Sequence, residues 1–195
     1  MVQARAAALC ALLAAAEAQQ SIVPVTTATS TGKPGYTTYQ VSVEFTNARD
    51  VYALFGEPGD PMTFPPAFQV ATPFGTDVGP VNPAFFAVMP EAEFDSFLTI
   101  GLDGPSSVPG ALASIGMDFT TWTEQQGIST ENGAVFFMDP EHGAVVEPVV
   151  LAQLTVPTGT AFSGQVSAQG RSIVGAEDWE VRAMTYSSAA RLPPP

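Results

Sequence analysis

Carboxylates are the only abundant reactive side chains in this chain of 195 residues, which carries 19 Asp and Glu against 6 Lys and Arg and a single His. Hydrolysis of a glycosidic bond needs two of them facing each other across a cleft, about 5–10 Å apart. Most of the acids fall in turns: Glu57, Asp60, Asp77, Asp103, Asp139 and Glu141. Glu44, Asp118 and Glu180 lie in strand-like runs and point outward, but no spacing among them selects a pair. The turn carboxylates suit calcium better, since it takes roughly six to eight oxygens from carboxylates and loop carbonyls. "LDGPSS" and "DPEHG" offer Asp103, Asp139 and Glu141 as such a set. EF-hand spacing is missing, and Asp capping its own turn explains the same residues.

Other chemistries are excluded by composition. His142 sits in a turn, and no serine lies in a G-x-S-x-G elbow, so a nucleophilic triad has no basis. Lys33, the only lysine, falls in a hydroxyl-rich stretch where a Schiff base has no site. One histidine and one cysteine cannot supply a zinc ligand set, and neither Gly-rich phosphate fingerprint is present. A net charge of −13 argues against nucleic-acid or anionic-membrane partners.

Two non-catalytic features remain. In "VVLAQLTVPTGTAFSGQVSAQGRS" the residues Val150, Ala152, Leu154, Val156, Phe162, Val166 and Ala168 read as core-facing. A hairpin through "PTGT" would then place Gln153, Thr155, Gln165, Ser167, Gln169 and Arg171 on one outer face. Such a ladder of amides and hydroxyls can bind sugar hydroxyls or a protein face, or simply remain solvated. The small residues Gly164, Ala168 and Gly170 imply something bulky packed on the inner side, for which the Phe-rich segment is the candidate. That segment, Gly56–Pro90, is the second feature: irregular, rich in proline, and carrying Phe64, Phe68, Phe74, Phe85 and Phe86. A long apolar segment of this kind must pack over its own core or against a partner.

The elements that must position these residues are strands. From Tyr39 the dominant period is two, in "YQVSVEF", "SFLTIGL", "SIGMDF", "NGAVFFMDP" and "DWEVRAMTY". Turn signals such as "EPGDP", "ENG" and "PTG" separate them, and the 18 prolines and 17 glycines fall largely between runs. The pattern predicts an all-β fold, an antiparallel sandwich or jelly roll of about seven to nine strands over residues 39–187. The N-terminal "MVQARAAALCALLAAAEA" reads as a signal peptide cut after Ala18, which would remove Cys10 and leave no thiol for a disulfide. Residues 19–38 read as a flexible Thr/Ser-rich leader, and 188–195 as a Pro-rich tail. An acid-poor leader after a signal peptide also fits a plastid-targeting sequence as an alternative destination.

The runs "FGEPGDPMTFPPAFQV", "GPVNPAFF", "FDSFLTIGLDGP" and "NGAVFFMDP" resemble a secreted module of marine microalgae and related protists. In architecture alone the alternating strands are similar to cohesin-type and carbohydrate-binding sandwiches. The resemblance implies secretion and a β-sandwich, and it carries over no activity, cofactor or catalytic residue. The expectation is a non-catalytic extracellular module for adhesion or matrix assembly, with a protein or polysaccharide partner, no membrane span, and room for an oligomer. A carbohydrate-active jelly-roll enzyme or lectin is the alternative, and so is a plastid accessory subunit. Calcium is the only cofactor to consider.

Overall fold

Tyr39, Val41, Val43 and Phe45 alternate with Gln40, Ser42 and Glu44, the period a half-buried strand requires. The computed structural model describes residues 21–102, 104, 111–145, 147–173 and 178–188. There Tyr36–Thr46 is strand β2, with Val41, Val43 and Phe45 buried. β1 (Ser21–Ser30) precedes it. β3 (Ala53–Gly56), β4 (Met62–Phe64), β5 (Phe97–Leu98), β6 (Leu112–Ile115) and β7 (Ile128–Thr130) follow. The series ends with β8 (Gly133–Phe137), β9 (Val149–Pro157), β10 (Ser163–Arg171) and β11 (Asp178–Ser187). Among the described residues the helical elements are short 3-10 turns at Pro83–Phe85, Pro90–Phe94, Phe119–Thr121 and Pro140–His142.

The strands form two antiparallel sheets. One has the order β1-β2-β9-β5, the other β6-β8-β3-β10-β4-β7, with β11 also paired to β10. One apolar core joins Val41, Val43, Leu154 and Val156 of the first sheet to Leu54, Val135, Val166 and Ala168 of the second. The fold is the all-β sandwich expected, with more strands than expected. The strands without a predicted run are β1, taken up below, and β3, β4 and β7, which run to four, three and three residues, too short to register as alternation.

Two other expectations are corrected. Ser21–Ser30, read as leader, is a strand that pairs with β2 from Ser21↔Thr46 to Ser30↔Thr38. Its β-branched run Ile22, Val23, Val25, Thr26 and Thr27 favours extension, and Pro24 is tolerated because β1 is an edge strand. Nor does "PTGT" close a hairpin. β9 pairs with β2 and β5 in one sheet, β10 with β3, β4 and β11 in the other, so the turn carries the chain from one layer to the other. The six ladder residues therefore lie on two different sheets.

The small residues of β10 are matched by β11 rather than by the Phe-rich segment. Gly164 is the cross-strand partner of Tyr186 and Gly170 that of Trp179, and each aromatic ring lies where a Cβ on its glycine would stand. The segments assigned to a signal peptide (1–18) and, beyond Ser188, to a Pro-rich tail lie outside the described residues.

Candidate functional site

On β9, Leu154 and Val156 point into the core, so Gln153 and Thr155 point out. Thr155 is shut off from solvent and Gln153 is half-buried, because Phe68 of the Phe/Pro-rich segment and the run 93–96 just after that segment lie across them. The Gln153 amide Nε2 donates to the carbonyls of Asp95 (2.8 Å) and Glu93 (3.1 Å). Phe68 N donates to Thr155 O at 2.7 Å, and Thr155 N to Ser96 Oγ at 2.9 Å. Thr155 is fully buried and its hydroxyl pairs with that of Thr38 at 2.8 Å. The ladder's first two residues are thus held by Phe68 and by the run 93–96 that follows the aromatic segment.

That pairing yields a prediction. Thr155→Val should destabilise the fold by about 1–3 kcal/mol, because it strands the Thr38 hydroxyl in the interior. Replacing both threonines by valine should restore most of the loss, since no buried hydroxyl is then left unpaired. A urea titration of the two variants checks this, and a double variant no more stable than the single one would refute it.

On β10 the remaining ladder residues are shielded because the strand is central, flanked by β11 on one edge and by β3 and β4 on the other. Gln165 Nε2 donates to Pro61 O at 3.3 Å. Ser167 is fully buried; its hydroxyl accepts from Ala183 N at 3.2 Å, where a bulge shifts the β10–β11 register. Gln169 is half-buried, between Ala53 and Glu180 on the neighbouring strands. Arg171 ion-pairs with Glu141, and its backbone N–H donates to the buried Asp50 Oδ1 at 2.9 Å.

Of the five phenylalanines two reach the interior, while Phe74, Phe85 and Phe86 are half-buried. Phe64 and Phe68 are buried. Phe74 and Phe85 meet edge to face with centroids 5.6 Å apart. Phe86 lines a cavity of about 220 Å³ together with Gln40, Gln153 and Glu93. Lys33 helps hold this segment, with its ammonium 3.9 Å from the Phe68 ring centre and 2.5 Å from Glu91.

Of the calcium candidates, Asp103 lies outside the described residues. Asp139 accepts from Glu141 N at 3.0 Å and pairs with His142 Nδ1 at 2.9 Å, while Glu141 is taken up by Arg171 and Arg49. Among the described residues no three His, Cys, Asp or Glu side chains converge as a metal cage would require.

A second concavity is a groove of about 510 Å³ between residues 69–77 and 117–122. Trp122 pins the two walls at their base: its indole N–H donates to Pro65 O at 2.8 Å, and Ala67 N donates to Thr123 O at 3.0 Å. Gln69, Thr72, Thr76, Asp77, Asp118, Phe119 and Thr120 line it. Burial holds the Asp77 carboxyl above the usual carboxylate range. Asp118 uses Oδ1 to accept from the Thr120 hydroxyl (2.5 Å) and N–H (3.2 Å), which fixes it at the head of a 3-10 turn. The groove therefore brings together one strand-run carboxylate and one turn carboxylate that spacing could not pair. Glu44 and Glu180 do not line it, and Glu180 is held by Arg182 at 2.5 Å.

Behind the wall stands a carboxylate that sequence reading missed. Asp95 is fully buried; its Oδ1 accepts from Val70 N and its Oδ2 from Thr76 N, both at 2.7 Å. Burial, reinforced by the charge of Asp77, pushes its pKa up to about 6 against three stabilising N–H contacts. The one available signal was an acid set inside the apolar run "EFDSFL".

Fold and site together define a β-sandwich with an acidic, hydroxyl-lined groove built from its own covering segment. Comparison with protein-family models, with curated proteins and with solved structures returned no match.

Proposed function

We propose that this chain is a non-catalytic extracellular β-sandwich module that serves adhesion or matrix assembly by holding a glycan in the groove between residues 69–77 and 117–122. The observation that carries the reading is the lining itself: two carboxylates, three threonines and an amide around the half-buried Phe119. Carboxylates and hydroxyls exchange hydrogen bonds with sugar hydroxyls, and an aromatic edge accepts the C–H face of a sugar ring. The volume lies within the range of roughly 300–1,000 Å³ typical of small-ligand sites. A neutral glycan suits it better than a sulfated or uronic one. The net charge is −13, and each described Lys and Arg is already ion-paired with a carboxylate.

Affinity electrophoresis through neutral polysaccharides (a xylan, a mannan, a β-glucan) tests this. Retention is expected on at least one of them, with Asp77→Asn and Asp118→Asn each weakening it about tenfold, as loss of a charge-assisted hydrogen bond requires. Equal retention of parent and variants would remove the groove from consideration.

A second reading, hydrolysis by a carboxylate pair, is favoured by one observation: Asp77 and Asp118 line the same groove, in unlike surroundings, with burial raising the Asp77 carboxyl. Release of reducing ends from the same polysaccharides, abolished by Asp77→Asn, would replace binding with catalysis.

A further inference from the structure

The groove's inner wall hangs on one side chain. Val70 and Thr76 both line the groove, and their N–H groups are held by the two oxygens of Asp95, one each. Between them Gly75 packs so closely that a Cβ would overlap Val70 O and press on Asp95 Oδ2. The loop is thereby closed around the carboxylate. Asp95 is itself anchored from the other side, where Gln153 Nε2 donates to its carbonyl.

We propose that Asp95 is the positioning residue of the groove wall, and that its protonation releases one end of the 70–76 loop, so that the groove loosens in acid. The reason is a count of acceptors. An ionised carboxylate accepts strongly on both oxygens, whereas a protonated one accepts only weakly on the oxygen that carries the proton, and its new O–H needs an acceptor that an N–H cannot be. One of the bonds to Val70 and Thr76 thereby loses its charge assistance and is the one that gives way. The groups around Asp95 make it responsive in the mildly acidic range: burial and the like charge of Asp77 favour the proton, while the N–H groups of Thr76, Val70 and Ser96 oppose it. Glu93, whose carbonyl shares the Gln153 amide, is exposed and adds no cation.

The inference rests on the groove being the binding site only for its consequence, weaker glycan retention in acid. The latch itself is read without ligand. In a ¹⁵N–¹H NMR titration of the full chain, the Val70 and Thr76 amides should shift with one common midpoint near 6. Below it, hydrogen exchange at one of them, corrected for its intrinsic rate, should rise about tenfold. Asp95→Asn should abolish the midpoint, and Asp77→Asn should lower it by removing a like charge. Amides that do not titrate in the parent protein overturn the proposal without need of any variant. Amides that titrate in a protein retained by no polysaccharide support the latch and count against glycan binding instead.

Discussion

Gly170→Ala is expected to lower the melting temperature by roughly 6–12 °C, from about 3 kcal/mol of overpacking in a domain of this size. The position is the last but one in β10, with Trp179 opposite it on β11. An added methyl group would overlap the carbonyl oxygen of Asp50 and the edge of the Trp179 indole. Neither can yield cheaply. Asp50 is fully buried, its carbonyl accepts from Trp179 Nε1 at 3.1 Å, and its carboxylate holds Arg171 N. Moving one breaks a bond to another, in an interior where each unpaired group costs about 1–3 kcal/mol. Differential scanning calorimetry decides it. A variant melting within about 2 °C of the parent would mean that this corner of the sandwich is softer than its contacts imply.

The second large effect is on pH. Asp95 holds its proton up to about 6, against 3.8 for the free side chain, a difference that corresponds to about 3 kcal/mol of linked stability. Its folded-state pKa is raised, so the contribution is complete below 3.8 and is lost as pH rises through about 6. Asp50 and Asp77, both raised by burial, act in the same direction. The chain is therefore expected to resist urea better near pH 4 than near pH 7, contrary to a protein stabilised by paired carboxylates. Asp95→Asn should flatten most of that slope. An unchanged slope in the variant would show that the pH dependence arises from the surface charge instead. Tighter global stability in acid is compatible with a looser groove wall: the proton relieves the desolvation of Asp95 while weakening one of its two local hydrogen bonds.

Both effects depend on residues whose importance is unequally visible in the chain. Gly164 and Gly170 announced a close approach through their alternation with Val166 and Ala168. What approaches them, Tyr186 and Trp179, was set by the register of β11, which pairing along the sheet determines and local sequence does not. The same limit applies to "VLAQLTVPTGTAFSGQV". Its alternation predicted two strands correctly, yet a short turn between two strands can close a hairpin or cross between layers. The choice depends on which neighbours, β2 and β5 or β3, β4 and β11, bury each strand's apolar face.

The polar ladder shows the limit most clearly. Its residues were legible as a polar face, but a polar face opposite a core can meet solvent, a ligand or the chain's own backbone. Gln153 and Thr155 meet the covering segment, and Ser167 meets a bulge, each satisfying backbone groups that an irregular segment leaves unpaired. The Phe-rich segment had the corresponding ambiguity, and Phe64 and Phe68 went to the interior. Likewise Asp77 and Asp118 stand about forty residues apart in sequence, and only the packing of residues 69–77 against 117–122 puts both in the lining of one groove.

By itself, then, the sequence determined the period of the strands, the all-β class and the net acidic charge. These follow from local alternation and composition, which are additive along the chain. The tertiary structure alone decided which strands share a sheet, which polar residues hold the covering segment, and which carboxylates line the groove. Those depend on contacts between distant residues, where burial, and not residue type, sets what a side chain does.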